Sequence, residues 1–298
     1  MSAYYYLVAG LPDISLEDGK LSYTISDFRA ESYGDLSAKD QALIDLFYLK
    51  YDHADLLSLL KDKDAVTQGK GNFSSEDLLQ LIASVKEGEK PDAKFPSYLY
   101  DFIAQYLALP ADELYKAENL LASAYYAYAM KSKNPFIASW FEFNLNINNI
   151  LAAFAARKYK MNVAEVIVGD TDVCEMLRTS NARDFGLSET LDYFEPLQRL
   201  VETDDLVEQL VYMEELQRIA EMEELVEREK KTDLLAWKWL EDESFFNYFT
   251  VERLFVFLLQ LEMIERWVLL DKEKGSELFR QMIQNLKDEV QIPEEFRK

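Results

Sequence analysis

Between Ile137 and Arg157 apolar residues fall on every side of a 3.6-residue helix, which predicts a helix enclosed by others. The stretch is long enough for a membrane span. Its Ser139, Glu142, Asn144, Asn146, Asn148 and Asn149 are too many polar groups for hydrocarbon. Glu142, Asn146, Asn149 and Arg157 follow at steps of i+4, i+3 and i+8, one polar stripe on an apolar rod. Buried polar groups are normally paired, so the stripe predicts a structural hydrogen-bonded network. A catalytic reading of it lacks a nucleophile and a metal-ligand set.

The rest of the chain alternates helical periods with short breaks. Residues 4–11 form an apolar run that periodicity leaves open between strand and buried helix, and Tyr23 to Arg29 is equally ambiguous. Ser37 with Asp40 predicts a capped helix to about Lys61, and Ser74 with Asp77 another to about Val85. Asp62 to Phe73 reads as a loop. Its acids lack the glycine and glutamate frame of an EF-hand. Gly88 to Pro96 is the clearest breaker cluster. Helices follow over Ser97–Leu109 and Asp112–Met130, and Lys131 to Pro135 turns into the central helix. Beyond it, Asn162–Ile167 and Asp172–Thr179 read as short helices. Pro196 is expected to end or kink the helix after Ser188. Thr203-Asp204-Asp205 caps a long helix to about Lys231, and Thr232-Asp233 starts a new one. A last apolar segment spans Phe245–Leu270. Ser276 caps a final amphipathic helix, and Pro293 ends regular structure.

Composition narrows the class. Nine glycines and seven prolines in 298 residues favour long helices over a turn-rich β design. The expectation is an all-α, multi-helix bundle of pseudo-repeated helical units, with at most a minor strand element near the N-terminus. It forms a single domain over 1–298, divisible into two similar units at about 1–160 and 161–298. Phe136–Arg157 and Phe245–Arg266 begin alike, with aromatic clusters followed by wide apolar faces.

A net charge of −23 disfavours nucleic acid and anionic membrane surfaces and permits a basic protein partner. The single cysteine, Cys174, rules out an intramolecular disulfide and a cysteine-based zinc site. The single histidine, His53, rules out histidine dyads and HExxH zinc sites, and it reads as a surface residue on a helix face. The N-terminal residues lack the pattern of a signal peptide. No cofactor, catalytic residue or metal site is expected.

The stretch FTVERLFVFLLQLEMIER, Phe249 to Arg266, resembles the C-terminal helix of a central-stalk component of archaeal and vacuolar-type ATPases, lettered C in the archaeal complex and d in the eukaryotic one. Val251, Glu252, Phe255, Phe257 and Glu262 stand in the matching places. Trp267-Val268-Leu269 departs from that family's usual continuation. Asn146 to Arg157 is similar to the family's asparagine–leucine…arginine helix, and the whole chain also resembles a bacterial family of uncharacterised proteins often encoded among V-type ATPase genes, whose start is similar to Tyr4–Pro12. With this resemblance, Glu252, Glu262 and Arg266 join Glu142, Asn146, Asn149 and Arg157 as candidate members of the structural polar network.

The resemblance implies a non-catalytic coupling component that links the central shaft of a V/A-type ATPase to its membrane ring during proton or sodium transport. The protein would then be cytoplasmic and peripheral to the inner membrane through that complex, with no membrane insertion of its own. The alternative is an all-helical interaction or assembly factor unrelated to the motor. An enzyme would need a carboxylate metal site on the helix carrying Glu214, Glu215, Glu221, Glu223, Glu224, Glu227 and Glu229, but these acids are spread around it as on a solvated face.

Overall fold

The computed structural model describes residues 4–16, 21–89, 92–202 and 214–269. Among them are α1 (Tyr5–Gly10), α2 (Ile25–Glu31), α3 (Ala38–Lys61), α4 (Ser75–Glu87), α5 (Ser97–Ala108) and α6 (Ala117–Ala129). They are followed by α7 (Pro135–Lys158), α8 (Val163–Val166), α9 (Asp172–Thr179), α10 (Phe194–Glu202), α11 (Glu214–Ser244) and α12 (Val251–Leu269). No strand occurs among the described residues, so the fold is all-α. Both ambiguous N-terminal runs are helical. Thr24 and Asp27 close a reciprocal capping box at the start of α2, a local signal that favours helix over strand.

Two helices organise the packing. The core helix α12 lies against α2, α3 and α11, while α7 contacts α6, α8, α9, α10 and α11. The two meet where the Phe141 and Phe255 rings stand 6.1 Å apart. Leu254, Phe255, Val256, Leu258, Leu261 and Ile264 of α12 are fully enclosed. Burial on several sides of one rod explains why its apolar positions show no single stripe. The α12 helix, from the second expected unit, thus packs directly on α2 and α3 of the first.

Several local expectations need correction. Pro196 neither ends nor kinks α10. It is the third residue of that helix, where a missing N–H breaks no intrahelical bond. Thr232-Asp233 starts no new helix, because α11 runs through it to Ser244. The Thr232 hydroxyl donates to the Arg228 carbonyl one turn back. The Asp233 carboxylate is taken by Trp267 Nε1 at 2.7 Å and by Arg266. The apolar segment from Phe245 breaks into a turn before α12 begins at Val251. The expected cap at Thr203–Asp205, the helix from Ser276 and the stop at Pro293 lie outside the described residues.

Tyr4 is tied down at two points. Tyr4 donates its backbone N–H to the Phe249 carbonyl at 2.8 Å. Its hydroxyl accepts from the Ser37 N–H and donates to Asp40 at 2.5 Å. Tyr4 thereby takes the place of the reciprocal half of the expected Ser37–Asp40 capping box.

Candidate functional site

The seven residues expected to form one polar network sit at separate joints. Asn149, buried on α7, accepts the Val168 N–H at 2.9 Å and donates to the Val168 carbonyl at 2.7 Å. It also donates to Cys174 Sγ at 3.3 Å, and the thiol in turn donates to Val168. Asn149 thus satisfies both backbone groups of one residue in the link between α8 and α9. Asn146 donates to the Tyr193 hydroxyl at 3.0 Å, while its Oδ1 is buried without a partner. Arg157 donates to the carbonyls of Ser180, Ala182 and Arg183, and its guanidinium lies 3.4 Å from the Phe185 ring centroid. It closes the loop after α9. Glu142 is exposed, and its charge acts on Tyr193, the partner of Asn146.

The other three acids and bases serve α12. Glu252 is buried and accepts from Asn134 Nδ2 at 2.6 Å, tying the start of α12 to the N-cap of α7. Glu262 holds Lys50 and the Tyr51 hydroxyl of α3. Arg266 reaches Asp233 on α11. Spacing along a helix places residues on a face, but different neighbours around α7 and α12 divide that face among several joints.

The titratable groups missed by the sequence reading also brace the fold. Asp52 accepts the N–H groups of Asn72 and Phe73, and Asp55 those of Gln68 and Gly69. Two buried carboxylates of α3 therefore clamp the 62–73 loop. Burial raises Asp52 to about 6, against the lowering effect of its two backbone donors. His53 is not on the surface. It is buried between the Tyr98 and Tyr125 rings, with Nε2 2.6 Å from the Tyr98 hydroxyl, and burial lowers its imidazole to about 3. A cleft of about 280 Å³ between α5 and α6 is open to solvent and lined in part by Asp101, Gln105, Tyr128 and Lys131. The expected acids Glu214–Glu227 lie on α11 where side chains are outside the described set. No group of metal-ligating side chains occurs among the described residues.

What stands out on the surface is a cluster of rings. Tyr5, Tyr6, Phe245, Phe246, Tyr248 and Phe249 are all exposed, Tyr6 at 97% and Phe246 at 86%. Tyr5 packs on Phe249 with centroids 4.5 Å apart, and Phe245 contacts both Phe246 and Tyr248. The Tyr4–Phe249 backbone bond fixes α1 against the turn that carries the other rings. Sequence reading folded these residues into apolar runs. The signal to be had was adjacency: in Phe245-Phe246-Asn247-Tyr248-Phe249 neighbouring rings cannot all face one core. The surface continues into exposed Glu241, Asp242 and Glu243. No described helix is long and apolar enough to cross a membrane.

One family, whose description is "Protein of unknown function (DUF2764)", matches residues 1–209 and 204–290. The chain belongs to the DUF2764 family. DUF2764 membership overturns the expected assignment to the ATPase central-stalk family, since the matched segments include both helices that suggested it. Wide apolar faces with a few acids recur wherever a helix is enclosed by others, so that pattern marks burial rather than family. No curated protein and no solved structure matches this DUF2764 chain.

Proposed function

We propose that this protein is a non-catalytic interaction module that docks a protein partner on the aromatic surface formed by α1 and the Phe245–Phe249 turn. The observation that carries this reading is the exposed rings of α1 and of the Phe245–Phe249 turn, joined by the Tyr5–Phe249 ring contact and the Tyr4–Phe249 backbone bond. Clustered exposed apolar side chains mark interaction sites, and aromatic residues dominate interface energetics. The exposed parts of Tyr5, Phe245, Phe246, Tyr248 and Phe249 amount to roughly three whole side chains, on the order of 600 Å² at about 200 Å² each.

The non-catalytic part rests on what the reactive side chains do. His53 is held by Tyr98, Cys174 is enclosed by Asn149, Thr171 and Val168, and Asp52 and Asp55 hold a loop. Each is committed to a structural bond.

A photo-crosslinking amino acid at position 246, compared with one at exposed Val66 in the 62–73 loop, tests the reading in cells. The expected result is a discrete protein adduct from position 246 and none from 66. Equal or absent adducts at both positions would sink it. Identification of the adduct also tests the coupling role: recovery of ATPase shaft or ring components would support it, and any other partner would leave the general interaction role.

A further inference from the structure

Beyond the presence of a docking surface, the charge around it selects the partner. The α11 helix leads into the aromatic turn through Glu241, Asp242 and Glu243, all exposed, against the exposed cation Lys238 on the preceding turn. Glu241 accepts from Trp237 Nε1 at 2.9 Å, which fixes one acid at the margin of the rings. The whole chain carries −23. An apolar platform with an acidic margin fits a segment that presents apolar side chains flanked by lysine or arginine. Ring faces also attract such cations directly.

The same charges argue against other occupants. A second copy of this chain would bring −23 and the same acidic margin face to face, and like charges oppose that encounter. An anionic lipid surface would be repelled for the same reason. We infer that the aromatic surface at the α11–α12 turn receives a basic amphipathic helix or segment of a protein partner. This inference rests on the docking role proposed above and adds the chemistry of the partner.

The test titrates the full chain with three synthetic peptides of equal length. One is a leucine–lysine amphipathic helix, one its leucine–glutamate counterpart, and one a serine–lysine peptide of the same charge without an apolar face. The leucine–lysine peptide is expected to bind at least about tenfold more tightly than either of the others at physiological salt. Phe246→Ser combined with Tyr5→Ser should weaken it at least about tenfold while leaving the helical circular-dichroism signal unchanged. Asp242→Asn with Glu243→Gln should slow association, and added salt should reduce that difference.

Equal binding of the leucine–glutamate peptide, still lost in the ring variants, would overturn the basic partner and leave the docking surface standing. Equal binding of the serine–lysine peptide, or peptide binding indifferent to the ring variants, would overturn both. Vesicles of phosphatidylcholine supply the last arm. Absence of leucine–lysine peptide binding would overturn the basic partner, and ring-dependent vesicle binding in that case would assign the surface to a membrane instead.

Discussion

Lys50 on α3 and Glu262 on α12 form an ion pair across 212 residues of chain, and each side chain is only about a third exposed. Lys50 also lies 3.9 Å from the centroid of Phe47, and the Tyr51 hydroxyl donates to the other oxygen of Glu262 at 3.2 Å. Burial pulls the Lys50 pKa down and Glu262 opposes it, so the pair survives because each charge has a partner.

Removing one member strands the other. Glu262→Gln should destabilise the protein by about 1–2 kcal/mol, since partial exposure weakens both the attraction and the penalty. Lys50→Met together with Glu262→Gln should cost less than the sum of the two single changes, because no unpaired charge then remains. Chemical denaturation of the single and double variants measures both effects. Strictly additive losses would show that the two side chains do not interact.

Asn149 and Asn146 lie three residues apart on one helix yet should respond differently. Asn149→Leu leaves the Val168 N–H and carbonyl without their side-chain partner and should cost about 2–4 kcal/mol. Asn146→Leu loses one bond to Tyr193 and removes an acceptor that is already unpartnered, so about 1 kcal/mol or less is expected. Urea midpoints rank the two. An equal loss in both would contradict the division of the stripe into separate joints.

His53 is the only histidine, so its Cε1–H gives one histidine signal of that kind to follow in proton NMR. Burial holds it near 3 against an ordinary 6.5. The signal should therefore show no titration between pH 7 and about 5 in the folded protein. The stability that depends on a neutral His53 is fully present above about 6.5 and is lost as pH falls toward 3. Asp52, raised by burial to about 6 from 3.8, acts with the opposite sign: its contribution is present below about 3.8 and is lost as pH rises through 6. His53→Gln should leave the Asp52 slope alone, so stability rises on acidification from about 6 to 4. A midpoint near 6.5 in the NMR titration would place the ring in water and reject the buried position.

Two glycines of the 62–73 loop differ in what a methyl group would meet. A Cβ at Gly71 would fall 2.1 Å from Asp52 Oδ1 and 2.9 Å from the Asp52 backbone nitrogen. Gly69 has φ +62 and open space around it. Gly71→Ala should therefore displace the clamp and cost about 2 kcal/mol or more, while Gly69→Ala costs roughly 1 kcal/mol of backbone strain. Tryptic cleavage after Lys70 should speed up in the Gly71 variant and much less in the Gly69 variant. Equal protection in both would mean that the loop does not depend on Asp52.

Much of the fold follows from residues that act within a few positions of themselves. Ser74 with Asp77 caps α4, Asn134 with Pro135 opens α7, and Gly88 closes α4 in a left-handed conformation. These signals are local hydrogen bonds and backbone preferences, so they survive in the sequence. The enclosed character of α7 and α12 is legible for a similar reason, since apolar residues around a whole helix require neighbours on every side.

The partners of each group were decided only by tertiary structure. Thr232-Asp233 carries a cap pattern, yet Trp267 and Arg266 of α12 claim the aspartate and α11 continues through it. A polar position on α3 gave no hint that His53 would be enclosed by Tyr98 and Tyr125. Periodicity fixes which side of a helix a residue faces, but not whether water or another helix lies there. The same holds for the aromatic surface. By itself, the sequence established an acidic, all-helical chain with two enclosed helices. Only the meeting of Tyr4 with Phe249 decided which of its many rings stay outside the core, because that choice depends on where a helix from one end of the chain docks on a turn near the other.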